Sequence, residues 1–180
     1  ATGGIGGVHL GWPHELDVSA DMAALAKHPV CVVCAGAKSI IDGRATCELL
    51  EALGIPVLGF GTDLLPGFQS IQTPDPIVIS QVNDVSEAAA IAKSHWSLPT
   101  GGGVLLTQPP PSSTAMDPHM LQQCALAADQ AISVQGPART PALLTFMAEQ
   151  TQGATLRSNI DLLLSNARLA GSLAHHIACH

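Results

Sequence analysis

Short, uninterrupted apolar runs alternate with longer stretches of mixed polarity along most of this chain. Residues 29–35 (PVCVVCA) form a run of strand length with no polar residue to mark a wet face. That pattern predicts a strand covered on both sides. Residues 55–60 and 104–107 read the same way, and residues 76–80 supply a further strand. Between these runs, residues 19–27, 39–53 and 85–96 carry helical patterning. Asp17 or Ser19 is placed to cap the first helix, and Gly54 stops the second. Three more helices are predicted near residues 118–134, 140–150 and 155–178. In the last of them Leu156, Ile160, Leu163, Ala167, Ala170, Ala174 and Ile177 recur at spacings of four and three, one apolar stripe predicted to face the core. Asn159 and Asn166 share a flank of that stripe and read as a polar edge facing water. Alternation of strands and helices implies βαβ units. The predicted fold class is α/β: one layered domain over residues 1–180, a mainly parallel sheet flanked by helices, with a helical C-terminal part.

Composition narrows the picture. The chain has 180 residues, 47% of them hydrophobic and only 3% aromatic, with no tyrosine, so Ala, Leu, Ile and Val must build the core. Net charge is −7 with seven Lys plus Arg, which argues against a nucleic-acid polymer as partner. Every apolar run is broken by Gly, Pro or charge before it could span a bilayer, so no membrane partner is expected. Of the five cysteines, Cys31 and Cys34 form a Cys-x-x-Cys pair inside the first predicted strand, where residues three apart point to opposite faces. They read as buried structural thiols of a reducing compartment, and the expected location is cytoplasmic. A start at Ala1, without initiator Met or signal peptide, reads as a processed or truncated product.

Four glycines crowd the start of the chain, Gly3, Gly4, Gly6 and Gly7, between Thr2 and His9. Such density suits backbone that bends sharply or approaches a ligand closely. A dinucleotide fingerprint needs a strand before the glycines and a helix after them. Here nothing precedes them, and Ile5, Val8 and Leu10 lead into Trp12-Pro13.

Chemistry gathers in three stretches: Thr2 to His9, Asp17 to Asp21, and Ala35-Gly36-Ala37-Lys38-Ser39. Lys38 follows a buried strand at its C-terminal end, where open α/β sheets place ligand crevices. A poorly solvated lysine is driven towards the neutral amine, a nucleophile able to form a Schiff base. A surface lysine at a helix start is the alternative. Asp17 and Asp21, four apart, either hold a hard divalent ion or cap a helix.

In order and spacing, Ala1 to His9, Leu16 to Asp21, Val33 to Ile40 and Gly59-Phe60-Gly61-Thr62-Asp63 resemble the pseudouridine-5'-phosphate glycosidases, also called indigoidine synthase A-like proteins. Thr140 to Leu144 and Leu156 to Ile160 resemble that family's C-terminal signature. The resemblance implies reversible cleavage of the C–C glycosidic bond of pseudouridine 5'-phosphate to uracil and ribose 5-phosphate, a manganese-type divalent ion (Mn2+) and a homotrimer. It makes Lys38 the covalent catalytic lysine and Asp17 the metal ligand. Ser19, Ala20 and Asp21 become the substrate-binding segment, and Thr2, His9 and Asn159 line the phosphosugar and base pocket. The chain departs from the family at Leu10, where Arg is usual, at residues 11–15, at Gln108-Pro109-Pro110-Pro111 and at Pro137. Family members also carry an upstream segment with an acidic proton donor and a phosphate-binding lysine, so the chain is expected to be the C-terminal part of such an enzyme. Two other readings stay open: an aldolase-like Schiff-base lyase on another phosphosugar, and a non-catalytic fragment or homologue.

Overall fold

A computed structural model describes residues 1–11, 17–134 and 136–179. Four parallel strands form the sheet, in the spatial order β1 (Cys31–Cys34), β4 (Val104–Thr107), β2 (Val57–Phe60) and β3 (Ser80–Val82). The register sets Cys31 opposite Val104 and Val57 opposite Leu105. Consecutive parallel strands need crossovers: α2 (Gly43–Ala52) links β1 to β2 and α3 (Val85–Trp96) links β3 to β4, and in the sheet β4 lies between β1 and β2. The α/β class and mainly parallel sheet read from the sequence are what the structure contains.

Both faces of the sheet are covered. One carries Val33, Leu58, Val104 and Leu106 against Ala88, Ala89 and Ala92 of α3 and Leu169 and Leu173 of α6 (Ala154–Cys179). The other carries Cys34 and Leu105 against Met22 and Leu25 of α1 (Ala20–Lys27) and Leu50 of α2. Cys31 packs with the first cluster and Cys34 lies in the second, so the two thiols do point to opposite faces. Burial pushes them up to about 11 and about 12, leaving both protonated at neutral pH. A satellite core joins Ile40 and Ile41 to Leu121 and Ala125 of α4 (Pro118–Ala131) and Leu143 and Met147 of α5 (Arg139–Gln150).

Two elements and the phase of the last helix depart from the sequence expectation. The second helix begins at Gly43 because Asp42 caps it, its Oδ1 accepting from the Ala45 N–H at 2.9 Å. Residues 38–42 instead follow the glycine loop: the Lys38 N–H donates to Ile5 and the Asp42 N–H to Val8. The strand expected at 76–80 is shifted to Ser80–Val82, while Val78 pairs antiparallel with Leu64. The stripe on α6 is out of phase in its first half. Thr155, Ser158, Leu162 and Asn166 are buried there, whereas Leu156, Ile160 and Leu163 are exposed; only Ala170 and Ile177 of the stripe pack against the core. Among the described residues no helix is long and apolar enough to cross a membrane.

Candidate active site

The N-terminal glycine segment lies along the free edge of β1. The Thr2 N–H donates to Val33, the Ala35 N–H to Gly3 and the Ile5 N–H to Gly36. Glycine is required by space: a Cβ on Gly6 would lie 2.4 Å from Ser19 Oγ, and one on Gly7 2.3 Å from Thr46 Oγ1. The loop that leaves β1 is equally tight. Gly36 has φ +91°, and a Cβ there would meet the Pro66 carbonyl oxygen at 2.1 Å.

Lys38 is half-buried on this loop, its N–H held by the Ile5 carbonyl at 3.0 Å. It lines a cavity of about 350 Å³ with the polar Ser39, Asp42, Arg44, Asp75 and Gln122 and the apolar Ile41, Leu65 and Leu121. Leu10 lines it too. A cavity off the carboxyl end of a parallel strand is where such sheets bind ligands.

The other residues picked out by the sequence surround the glycine segment. Ser19 caps α1, its Oγ accepting from the Asp21 N–H, while its own N–H donates to Gly7. Asp21 Oδ2 accepts from the Gly6 N–H at 2.8 Å. Ala20 is exposed at the start of α1. His9 is mostly buried, with Nδ1 3.9 Å from Oδ2 of the half-exposed Asp17. At the other end, a Cβ on Gly3 would lie 2.7 Å from Asn159 Oδ1. The structure therefore brings Thr2, His9, Asp17, Ser19, Asp21 and Asn159 to one segment. None of them is among the residues that line the Lys38 cavity.

Several groups escaped the sequence reading. Asn166, expected at a wet helix edge, is fully buried; Nδ2 donates to the Thr2 and Gly3 carbonyls at 2.8 and 3.3 Å, and Oδ1 accepts from Gln108 Nε2 at 3.0 Å. Its spacing of seven from Asn159 was the available signal. Phe68 and Gln69 left none, because their partners are distant in sequence. Phe68 is buried against Leu162 and Ala35 and holds φ +67°, a conformation a bulky residue adopts only when its surroundings enforce it. The departures at residues 12–15 and the side chain of Pro137 lie outside the described residues.

An all-parallel, doubly covered sheet with a glycine segment along β1 and a cavity at the lysine loop that follows it defines the chain as an α/β protein. Residues 1–176 match the family described as Indigoidine synthase A like protein, and the chain belongs to that family. Over 177 residues it is 47% identical to the pseudouridine-5'-phosphate glycosidase of Myxococcus xanthus (strain DK1622), covering 97% of this chain and 58% of the relative. The Escherichia coli (strain K12) protein of the same name is 42% identical, with 97% and 56% covered. An indigoidine synthase A-like protein of Thermotoga maritima superposes with TM-score 0.86 at 33% identity, covering 96% of this chain and 57% of that one. The prealnumycin C-glycosynthase AlnA, solved in complex with ribulose 5-phosphate, gives 0.86 at 35% identity, with 97% and 58% covered. The chain thus spans under three fifths of the length of these proteins.

Proposed function

We propose that this chain carries the lysine half of a pseudouridine-5'-phosphate glycosidase site. The observation that carries the reading is Lys38, pinned through its backbone to the glycine segment and lining the strand-end cavity, in a chain 47% identical to a relative of that name. A C–C glycoside has no heteroatom leaving group to protonate, so cleavage needs a proton for C5 of the base and, at C1', an electron donor that takes up the positive charge left there. The Lys38 amine is that donor. Nitrogen bonds to C1' as the ring oxygen departs and becomes the O4' hydroxyl. The nitrogen lone pair then expels uracil, whose C5 takes a proton, and a protonated imine remains. Water hydrolyses the imine to ribose 5-phosphate and free lysine. By the family resemblance Thr2, His9, Ser19, Ala20, Asp21 and Asn159 are the further substrate-binding residues. They gather at the glycine segment, which the Lys38 N–H bond to Ile5 joins to the lysine loop, rather than among the residues that line the cavity.

Asp17 suits a hard divalent ion of the manganese type. Its carboxylate is half-exposed, and no cluster of three or more His, Cys, Asp or Glu exists among the described residues, so the ion would keep several waters. When bound, such an ion supplies positive charge for the phosphosugar's anionic group. We further propose a homotrimer as the working assembly and a cytoplasmic location.

Because the family's proton donor and phosphate lysine belong to an upstream segment, the chain alone should release uracil slowly. The test is uracil release from pseudouridine 5'-phosphate by the 180-residue chain, alone and with the upstream segment of a relative added. Release that rises with the segment supports the reading; no release in either case contradicts it. The AlnA complex favours a second reading, C-glycoside formation on another acceptor from a ketose phosphate. Incubation with ribulose 5-phosphate and aromatic acceptors tests that.

A further inference from the structure

A strap of the chain, residues 66–70, crosses the lysine loop and is anchored on both sides of it. The Phe68 N–H donates to Ala35 at 2.9 Å, and a Cβ on Gly4 would meet the Phe68 ring at 2.7 Å. The next residue, Gln69, is 3% exposed and uses both ends of its amide. Nε2 donates to the Thr155 carbonyl on α6 at 3.0 Å, and Oε1 accepts from Ser39 Oγ at 3.1 Å. The Gln69 carbonyl accepts from the Met116 N–H, so its backbone is held as well.

This arrangement fixes a direction. The carbonyl of Thr155 can only accept, so the Gln69 amide nitrogen must face it and the amide oxygen must face Ser39. An amide oxygen also only accepts, so the single hydroxyl proton of Ser39 is committed to Gln69. What Ser39 has left is lone pairs, and Ser39 lines the cavity beside Lys38.

We infer that Ser39 is a hydrogen-bond acceptor for a sugar hydroxyl in the Lys38 cavity, with Gln69 as the positioning residue that fixes its polarity. A group that only accepts, such as a phosphate oxygen or a base carbonyl, gains nothing at Ser39; a hydroxyl that must donate is selected. This rests on reading Lys38 as the amine that forms an imine with a phosphosugar, and it adds which part of the sugar lies next to that amine.

The experiment measures how much sugar is needed for half-maximal borohydride trapping at Lys38 in the full 180-residue chain. Ribose 5-phosphate is compared with its 2-deoxy and 3-deoxy analogues. Ser39→Ala should raise that concentration about tenfold for ribose 5-phosphate, the upper range for one neutral hydrogen bond. It should leave unchanged the analogue that lacks the donating hydroxyl. Gln69→Ala should raise it about threefold, since Ser39 keeps its oxygen but loses its orientation. In the Ser39→Ala background Gln69→Ala should add nothing further. Should Gln69→Ala fail to fold, the Ser39→Ala comparison across the three sugars decides alone. Wild-type concentration dependence in Ser39→Ala, or an equal loss for all three sugars, overturns the inference. Absence of any trapped sugar in the unmutated chain overturns instead the reading of Lys38 on which it stands.

Discussion

Asn166 Nδ2 donates to the Thr2 carbonyl oxygen at 2.8 Å, joining the last helix to the second residue of the chain. The same amide reaches Gly3 and is oriented by Gln108, so one buried side chain holds the glycine segment against α6. Removing it takes the side-chain donor from the part-buried Thr2 carbonyl and leaves the Gly3 carbonyl with the Ala35 N–H alone. Asn166→Ala should destabilise the fold by about 2–3 kcal/mol, seen as a fall in Tm of roughly 5–10 °C. Asn166→Asp should be worse, because a carboxylate offers no donor and faces two carbonyl oxygens. Thermal melts of both variants check the order as well as the size.

Gly6 and Gly171 give opposite predictions from one substitution. A Cβ on Gly6 collides with Ser19 and approaches Asp21 Oδ2, which holds the Gly6 N–H. Gly6→Ala should therefore lower Tm and weaken phosphosugar binding together. Gly171 lies exposed within α6, and nothing would meet its Cβ within 4 Å. Gly171→Ala should stabilise by about 0.5–1 kcal/mol, the usual gain of alanine over glycine in a helix interior. Urea unfolding of the two proteins measures both.

The sheet was legible in the sequence because its strands carry their own evidence. A run such as residues 31–34, apolar at every position, admits few alternatives to a doubly covered strand. The phase of α6 was not legible. Its buried face carries Thr155, Ser158 and Asn166: Asn166 meets the Thr2 and Gly3 carbonyls, and the Thr155 carbonyl meets the Gln69 amide. Hydrophobicity therefore pointed to the wrong side, Leu156, Ile160 and Leu163, which are exposed. The start of α2 was hidden for a related reason: residues 38–42 are claimed by long-range bonds to Ile5 and Val8. At the site, Lys38 and its glycine segment were recoverable from motif and context. Ser39 was legible as part of the lysine stretch, but its bond to Gln69 was not, since the polarity of that bond depends on Thr155, 86 residues beyond Gln69.

The buried thiols set an alkaline limit. Cys34 is fully buried and pushed up to about 12, whereas in the unfolded chain it titrates at its ordinary value of 9.0. Below that ordinary value both states are protonated and stability does not depend on this group. Above it the unfolded chain loses the proton while the folded one keeps it, so stability falls as pH rises towards the folded value. The fall should approach about 1.4 kcal/mol per pH unit for this thiol. Urea unfolding between pH 8 and pH 11 should show the loss in the parent and a smaller one in Cys34→Ala. A pH-independent midpoint over that range in the parent would contradict it.

For the ion, Asp17→Asn should weaken Mn2+ binding at least tenfold, while Cys31→Ala and Cys47→Ala should leave it unchanged. Titration calorimetry with Mn2+ distinguishes these outcomes. Retained affinity in Asp17→Asn would place the ion elsewhere.

The central claim is that Lys38 is the residue that bonds to the sugar. Reduction with borohydride in the presence of ribose 5-phosphate, followed by peptide mass mapping, tests it directly. One sugar should be found on the peptide containing Lys38, and none in Lys38→Ala or Lys38→Arg, whose guanidinium keeps its proton and cannot attack. An adduct on Lys27 or Lys93, or equal trapping by Lys38→Ala, would contradict the account.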